Sequence, residues 1–499
     1  SSTDKDASSA FLKYADFSHY ADYFNGMEDE NIVQAIPNEK ASEWMEENIP
    51  LFECPQHNFE EMYYYRWWSL RKHIKETPVG YGMTEFLVQR SYSDKYNLIA
   101  CAIGHHIYES RWLRDPKYLD QIIHTWYRGN DGGPMKKMDK FSSWNADAVL
   151  ARYMVDGDKD YLLDMKKDLE TEYQRWERTN RLKNGLYWQG DVQDGMEESI
   201  SGGRRKKYAR PTINSYMYGN AKALSCIGIL SGDEGMAMKY GMRADTLKNL
   251  VENELWNTRH QFFETMRTDS SANVREAIGY IPWYFNLPDT TQKYEIAWKE
   301  IMDEKGFSAP YGLTTAERRH LEFRTRGVGK CEWDGAIWPF ASAQTLTAMA
   351  NFMNNYPQTV LSDSVYFRQM ELYVESQYHR GRPYIGEYLD EMTGYWLKGD
   401  QERSRYYNHS TFNDLIITGL IGLRPRLDNT IEVNPLIPAD KWDWFCLDNV
   451  LYHGHNLTIL WDKNGDRYHC GKGLRIFVDG KEVGQANTLT KIVCENALK

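Results

Sequence analysis

Residues 215–255, SYMYGNAKALSCIGILSGDEGMAMKYGMRADTLKNLVENEL, contain two segments in which apolar side chains recur at helical spacing. The turn Ser231-Gly232-Asp233 separates them, with a glycine suited to ending the first helix and an aspartate suited to capping the second. The stretch therefore predicts a helical hairpin. A similar turn, Asp156-Gly157-Asp158, separates the helical segments 143–155 and 158–178.

Helical spacing continues from about residue 58 to residue 421, and short connections alternate with long ones. Helical hairpins stacked in a ring would place the tight turns on one rim and the long loops on the other. Long connections in a compact domain are usually functional, so we expect the rim with the long loops to carry the site. The long connections are 179–214, 257–290, 305–337 and 379–409.

After Pro425 the apolar pattern changes to a period of two, which is typical of strands. The turns Asn464-Gly465 and Asp479-Gly480 are strong hairpin signals, so residues 425–499 predict a small C-terminal β-sandwich. The predicted strands are Thr430–Asn434, Asn456–Trp461 and Leu474–Val478. The predicted organisation is a segment that wraps the surface (1–57), a ring of helical hairpins (58–424) and the β-sandwich (425–499).

Composition narrows the class of protein. The 499 residues are 41% apolar, and their net charge of 60 − 71 = −11 argues against a nucleic-acid partner. No stretch approaches the ~20 apolar residues of a membrane helix. The 17 Trp and 35 Tyr raise a carbohydrate hypothesis, although we expect most of them to fill the core. We predict an oligosaccharide or polysaccharide substrate and a monomer or small homo-oligomer.

Cysteine and histidine spacing predicts no metal or cofactor. The seven Cys form no CxxC pair, and the adjacent His105 and His106 would point apart on a helix. The chain starts Ser1-Ser2-Thr3 without an initiator Met, which predicts a terminus left after removal of an export signal, although a cloning boundary would look the same. We therefore expect an exported protein.

The first long connection concentrates acidic residues. Asp191, Asp194, Glu197 and Glu198 lie within eight residues, close to Trp188. Crowding of carboxylates near an aromatic ring would raise at least one pKa, as a general acid at neutral pH requires. A solvated acidic loop or a calcium site would account for the same pattern.

Two later loops also combine carboxylates with aromatic rings. In Glu332–Pro339, Trp333 and Trp338 flank Asp334, which could instead cap a helix. In Gly386–Trp396, Glu387 precedes Tyr388, and Trp396 follows. Glycoside hydrolysis needs two carboxyl groups that flank one bond, and acidic loops on one rim could supply that pair.

The order of these motifs resembles the six-hairpin (α/α)6-barrel glycosidases, especially the trehalase-like family 37 and the processing-glucosidase-like family 63. The resemblance covers about residues 60–480, and the tail from Gly422 to Gly454 is similar to the β-sandwich of related sugar-processing barrels. It implies a mainly α (α/α)6 barrel with a C-terminal β-sandwich. The chain is also similar to the family-63-like proteins and to the β-L-arabinofuranosidases of family 142.

The resemblance also implies roles for individual residues. Asp194 best matches the acid of that clan, and Glu387 in Gly386-Glu387-Tyr388-Leu389-Asp390 matches its base. The stretch Glu332–Trp338 is similar to a substrate motif in which Asp334 replaces the usual Arg or Tyr. The Glu-Ser-Gly expected before the acid is absent, so Glu197 or Asp191 remains an alternative acid. The trehalase pattern of Gln-Trp-Asp and Arg is missing too, which argues against trehalose.

The clan inverts the anomeric configuration, which implies an inverting hydrolase. The elaborate loops would close a blind pocket rather than an open cleft, so we expect exo action on plant or host glycans. A polysaccharide lyase that uses Tyr407, Asn408 and His409 is an alternative, and so is a glycan-binding protein without catalysis. Many candidate binding residues could equally pack between helices. The predicted substrate-binding residues are Trp67, Glu85, Trp144, Asn145, Trp188, Tyr216, Trp333, Asp334, Trp338, Tyr388, Trp396 and His409.

Overall fold

The computed structural model describes residues 11–499, and within them six helices surround a central axis. Each of these inner helices contacts the next, and the last contacts the first, so the ring is closed. The last one continues as the π-helix Ile416–Leu420. The inner helices are Ile103–Ser110, Asn145–Asp156, Pro211–Ser231, Ile281–Tyr284, Pro339–Asn355 and Asn413–Leu415.

Each inner helix follows an outer helix along the chain, which makes six helical hairpins in the described residues. The outer helices bury one face, as Lys117–Arg128 does with Leu119, Ile122, Ile123 and Trp126 at helical spacing. The inner helices are buried nearly all round, as in the first half of Pro211–Ser231. The outer helices are His57–Arg71, Lys117–Arg128, Lys166–Asn180, Glu234–Leu250, the 3₁₀-helix Glu295–Ile301 and Asp363–Ser376, and Lys159–Asp164 precedes the third.

One outer helix, His57–Arg71, is buried like an inner one because the N-terminal segment covers it. The helices Ser18–Asn25 and Ala41–Asn48 contact it, and the rings of Phe17 and Tyr64 stack at 5.1 Å. These contacts belong to the predicted N-terminal segment 1–57, from residue 11 onward. Residues 1–10 lie outside the described part of the chain.

The C-terminal region forms a five-stranded antiparallel sheet and a separate two-stranded pair. Gly484 of the sheet packs on Cys494 and Ile492 of the pair, which places the two layers in contact. The sheet strands, in spatial order, are Leu51–Glu53, Trp444–Tyr452, His455–Asp462, Gly473–Val478 and Lys481–Ala486. The two-stranded pair is Ile431–Val433 with Ile492–Cys494.

The predicted fold class, a mainly α barrel with a C-terminal β domain, is confirmed. Leu51–Glu53, which falls in the predicted N-terminal segment, adds an edge strand to the C-terminal sheet. Small hairpins brace the long connections at the rim, for example Trp188–Gln189 paired with Tyr208–Ala209. The other braces pair Ile74–Thr77 with Gly80–Met83, Trp256–Asn257 with Phe262–Phe263, Ser308–Ala309 with Gly312–Leu313, and Tyr378–His379 with Arg382–Pro383. Over residues 11–499, no helix has both the length and the apolar character needed to cross a membrane.

Trp144 closes the middle of the barrel. Its ring lies 4.9 Å from that of Tyr216, 5.6 Å from that of Tyr284 and 6.1 Å from that of Phe340, and these belong to three different inner helices. A fourth inner helix approaches at Gly104, where a Cβ atom would lie 2.1 Å from the indole. This aromatic layer leaves a cavity at each end of the barrel.

Candidate active site

A cavity of about 490 Å³ lies at the N-terminal ends of the inner helices, where the long connections meet. Cys101, Phe141 and His409 precede inner helices, and Phe340 lies in the first turn of another. Phe340 also contacts Trp144, so the aromatic layer closes the bottom of this cavity. Long connections therefore do carry the walls of a pocket, as their length predicts.

Four carboxylates line this cavity, Glu198 among them, and the other three come from distant parts of the sequence. Glu85 follows the hairpin strand Gly80–Met83, Glu197 lies in the acidic loop, and Glu387 lies in the loop before the last inner helix. Glu387 is buried, and its Oε2 accepts no hydrogen bond from residues 11–499. The thiol of Cys331 lies 3.9 Å from its Oε1. Glu387 is thus a buried carboxylate held largely without partners, which is costly unless chemistry or a ligand uses it.

The environments of Glu197 and Glu387 differ. Burial raises the pKa of Glu197 to about 7, and the negative charges of Glu387 and Asp191 act in the same direction. Burial also raises the pKa of Glu387, but the positive charges of Lys398, Arg403 and Arg90 oppose the rise. Near neutral pH, Glu197 therefore retains a proton to donate, while cations favour ionised Glu387.

Glu85 is the most buried of the carboxylates Glu85, Glu197 and Glu387. Burial raises the pKa of Glu85 to about 8. Its Oε1 accepts a hydrogen bond from the Cys101 thiol at 2.9 Å, which acts in the opposite direction. Tyr407 donates to its Oε2 at 3.3 Å. The charges of Glu387 and Glu197 raise this pKa further, so Glu85 is protonated at neutral pH and can donate a hydrogen bond.

Six basic side chains also line the cavity. Lys330 approaches Glu198 at 3.9 Å, and the other five form no ion pair with residues 11–499. Unpaired cations around a pocket attract anions, although the net charge of the whole chain is −11. The sequence analysis did not identify these residues. The one sequence signal for them is that basic residues occur within long loops. They are Arg90, Lys140, Arg204, Lys330, Lys398 and Arg403.

Asp194, the acid that the resemblance implied, lies outside this cavity. It is 2% exposed, and its Oδ2 accepts hydrogen bonds from Arg210 Nε at 2.7 Å and Thr212 Oγ1 at 2.6 Å. Ser142 Oγ donates to its Oδ1. Asp194 thus joins the acidic loop to the start of the helix Pro211–Ser231, and both of its oxygens are occupied. Of the two alternatives, Glu197 lines the cavity and Asp191 does not.

The aromatic loop residues form a stack of which one member faces the cavity. Trp338 lines the pocket, with the ring of Trp333 at 4.7 Å on one side and that of Tyr388 at 4.6 Å on the other. Asp334 is fully buried and does not line the cavity; its Oδ2 accepts the backbone N–H groups of Arg326 and Gly327 and so holds its loop, while its Oδ1 has no partner in the described residues. Trp396 is buried as well, and its indole donates to Ser376 O.

The remaining predicted binding residues lie away from the cavity, except for His409, which lines it. Trp67 lies in the core, and Trp144 and Tyr216 belong to the aromatic layer. Asn145 donates to Glu172 at 3.0 Å, and the Lys207 ammonium lies 5.0 Å from the ring of Trp188. Packing between elements explains these side chains. In the described part of the chain, no group of three or more His, Cys, Asp or Glu residues is placed to hold a metal ion.

Two family models match the chain. Residues 95–410 match the mannosylglycerate hydrolase MGH1-like glycoside hydrolase domain. Residues 423–484 match the C-terminal domain of glycosyl hydrolase family 65. The two matches correspond to the helical barrel and to the β region that follows it.

Solved structures with the same fold include both similar and distant chains. One named "Sialidase" is 95% identical with a TM-score of 0.99, and this chain covers 46% of its length. The GH63 mannosylglycerate hydrolase from Thermus thermophilus in complex with glucose is 12% identical, with a TM-score of 0.53 over 71% of this chain and 99% of that one. The GH78 family rhamnosidase of Bacillus sp. GL1 is 11% identical, with a TM-score of 0.56 over 86% of this chain and 41% of that one.

The mannosylglycerate hydrolase and the rhamnosidase, at 11–12% identity, show only the fold of this chain. The mannosylglycerate hydrolase MGH1-like family model, by contrast, matches well over half of the sequence. The match extends from the segment before the first inner helix to the segment before the last, and so includes Glu197 and Glu387. The chain belongs to the mannosylglycerate hydrolase MGH1-like glycoside hydrolase family.

Proposed function

We propose that the chain is an inverting, exo-acting glycoside hydrolase that removes one terminal sugar from an acid-bearing glycan. The observation that carries this proposal is the single cavity lined by Glu85, Glu197 and Glu387 and closed at its bottom by the aromatic layer. A closed end accepts the end of a chain rather than its middle. Exo action therefore fits the shape of the pocket.

Glu197 acts as the general acid and Glu387 as the general base. Glu197 donates its proton to the glycosidic oxygen as the bond from that oxygen to the anomeric carbon breaks. Glu387 accepts a proton from the water that attacks the anomeric carbon from the opposite face, which inverts the configuration. The raised pKa of Glu197 and the cations around Glu387 support this assignment. Neutral Glu85 donates a hydrogen bond to a sugar hydroxyl.

The unpaired cations indicate the class of substrate. Lys398 and Arg403 lie near Glu387 without an ion pair of their own in the described residues. A carboxylate or sulfate on the glycan would pair with such groups and recover the cost of keeping them unpaired. We therefore propose a uronic acid or another acidic sugar in the substrate, close to the bond that is cleaved.

The test is sugar release from a panel of acidic and neutral glycans by the wild type and by Glu387→Gln, with the anomer of the first product read by proton NMR. We expect one monosaccharide with inverted configuration from the wild type and almost none from the variant. A retained configuration would contradict the assignment of Glu387 as a base. Release of unsaturated uronates, which absorb in the ultraviolet, would instead show a lyase.

A further inference from the structure

A second cavity, of about 390 Å³, lies at the opposite end of the barrel. It is bounded by the helix Asn145–Asp156 from Asp147 to Met154, by the C-terminal half of Pro339–Asn355 and by residues 424–426, which lead to the β domain. The exposed residues Asn286 and Asn355 lie at its edge, so the cavity opens to solvent. Tyr284 lines it and contacts Trp144, which separates it from the active site.

Three arginines and three carboxylates line this second cavity, so its formal charges balance. Arg111 pairs with Asp414 at 2.7 Å, and Arg426 pairs with Glu432 at 3.1 Å. Arg424 donates through both terminal nitrogens, to Thr418 O and to Asn351 Oδ1. Arg424 forms no ion pair with residues 11–499, but both of its terminal nitrogens already donate to neutral acceptors, and an anion would also meet three carboxylates. The described residues also hold no cluster suited to a metal ion.

Several polar atoms of the second cavity nevertheless lack partners among residues 11–499. Asp147 accepts a hydrogen bond from Tyr108 through Oδ2, and its Oδ1 accepts none. All the hydrogen bonds to Asp414 reach Oδ1, from Arg111 and Trp112, which leaves Oδ2 without a donor. The hydroxyl of Thr347 is half-buried and makes no hydrogen bond. These atoms face the open cavity, where water or the hydroxyl groups of a ligand can bind them.

Aromatic rings form one side of the same cavity. The rings of Tyr108 and Tyr284 lie 5.4 Å apart, and Phe285 lies 4.8 Å from Tyr284. Sugar rings present C–H groups to aromatic faces and hydroxyl groups to carboxylates and amides, and this cavity offers both kinds of surface. Its balanced charges favour a neutral ligand.

We propose that this second cavity binds a neutral sugar or polyol of one or two rings. The ligand donates hydroxyl hydrogens to Asp147 Oδ1 and Asp414 Oδ2, and its ring lies against Tyr108 and Tyr284. The site is separate from the catalytic cavity and does not depend on the proposed reaction.

The test measures binding by calorimetry with neutral sugars and polyols, namely arabinose, rhamnose, galactose, glucose and inositol, with glucuronate as the charged comparison. Two matched variants each place a phenylalanine on a half-buried wall: Thr347→Phe in the second cavity and Cys331→Phe in the catalytic one. We expect at least one neutral ligand to bind, with affinity reduced about tenfold or more by Thr347→Phe and kept in Cys331→Phe.

Two results would overturn the proposal. One is the absence of saturable binding of every neutral ligand to the wild type. The other is binding that survives Thr347→Phe and disappears in Cys331→Phe, which would assign it to the catalytic cavity. Should Thr347→Phe fail to fold, Asp147→Asn takes its place, because it removes an acceptor without changing the size of the side chain.

Discussion

The two ends of the barrel hold cavities of comparable size, about 490 and 390 Å³, but the charged side chains that line them are paired differently. At the catalytic end, Glu387 and the cations Lys398 and Arg403 share one pocket without close ion pairs in the described residues. At the opposite end, Arg111 is tied to Asp414. Asp147 and Arg424 at that end form no ion pair in the described residues either, but both make hydrogen bonds, whereas Oε2 of buried Glu387 has no partner there. A buried carboxylate oxygen without a partner lowers stability, which supports our proposal that the chemistry takes place at Glu387.

The direction of the inner helices contributes to this difference. The catalytic cavity faces their N-terminal ends, where the helix dipole favours negative charge. The second cavity reaches the C-terminal ends of some inner helices, and Arg111 directly follows the helix Ile103–Ser110 there. Asp147 and Asp414, which line the same cavity, lie in the first turns of their helices, so its charges balance.

The largest expected effect comes from changing one carboxylate at each end of the barrel and comparing the two changes in kcat. We expect Glu197→Gln to lower kcat by about 10²–10⁴-fold, because the leaving oxygen loses its proton donor. The loss should be smaller on aryl glycosides, whose leaving groups need little protonation. The matched variant Asp147→Asn at the opposite end should retain kcat. Initial rates on both substrate types measure this, and equal losses on the two types would contradict the role of Glu197.

A second variant tests whether Asp194 supports the catalytic end only structurally. Asp194→Asn removes one charge of a fully buried ion pair, which typically costs about 3–5 kcal/mol in the free energy of unfolding. Asp414→Asn, which breaks the pair with Arg111, should cost a similar amount at the other end. Urea unfolding measures both losses. A fall in kcat per folded Asp194→Asn molecule as large as that of Glu197→Gln would restore Asp194 as the acid.

The pH profile distinguishes two carboxylates whose pKa values are both raised by burial to about 7, Glu197 and Asp147. A general acid works in its protonated form, so kcat/KM should fall about tenfold per pH unit above pH 7 as Glu197 loses its proton. Asp147→Asn should leave this alkaline limb in place. An alkaline limb that disappears in Asp147→Asn would place the titrating group at the wrong end of the barrel.

The smallest expected effect concerns the unpaired cations. We expect Lys398→Gln to raise KM for an acidic substrate about tenfold or less, equivalent to ~1.4 kcal/mol, and to weaken its salt dependence. Arg426→Gln at the opposite end, where the guanidinium is paired, should change neither value. Steady-state kinetics at two ionic strengths measure the difference. An equal KM for acidic and neutral substrates in the wild type would contradict an anionic substrate.

Local patterns were sufficient for the fold. Helical spacing and the turn Ser231-Gly232-Asp233 predict a hairpin, and the structure has helices Pro211–Ser231 and Glu234–Leu250 there. The period of two after Pro425 predicts two strands of the C-terminal sheet, at Asn456–Trp461 and Leu474–Val478, and one strand of the separate pair, at Thr430–Asn434. The long strand Trp444–Tyr452 was not predicted. These signals depend on neighbours a few residues apart, so they can be read without coordinates.

The role of each acidic residue could not be read in the same way. Asp194 and Glu197 lie three residues apart in one loop, yet Arg210 neutralises the first and the second faces the cavity. The partner of a carboxylate is set by contacts between distant segments. The resemblance to known motifs favoured Asp194 as the acid, whereas the structure places Glu197 at the cavity.

The amino-acid sequence by itself determined a ring of helical hairpins, a β region at its C-terminal end and long acidic loops on one rim, because periodicity and turn chemistry are local. The tertiary structure alone decided that Glu85, Glu197 and Glu387 share a cavity, that Asp194 is an anchor, and that Trp144 divides the barrel into two sites. These outcomes depend on which side chains from distant segments come into contact, because those contacts determine burial and charge pairing.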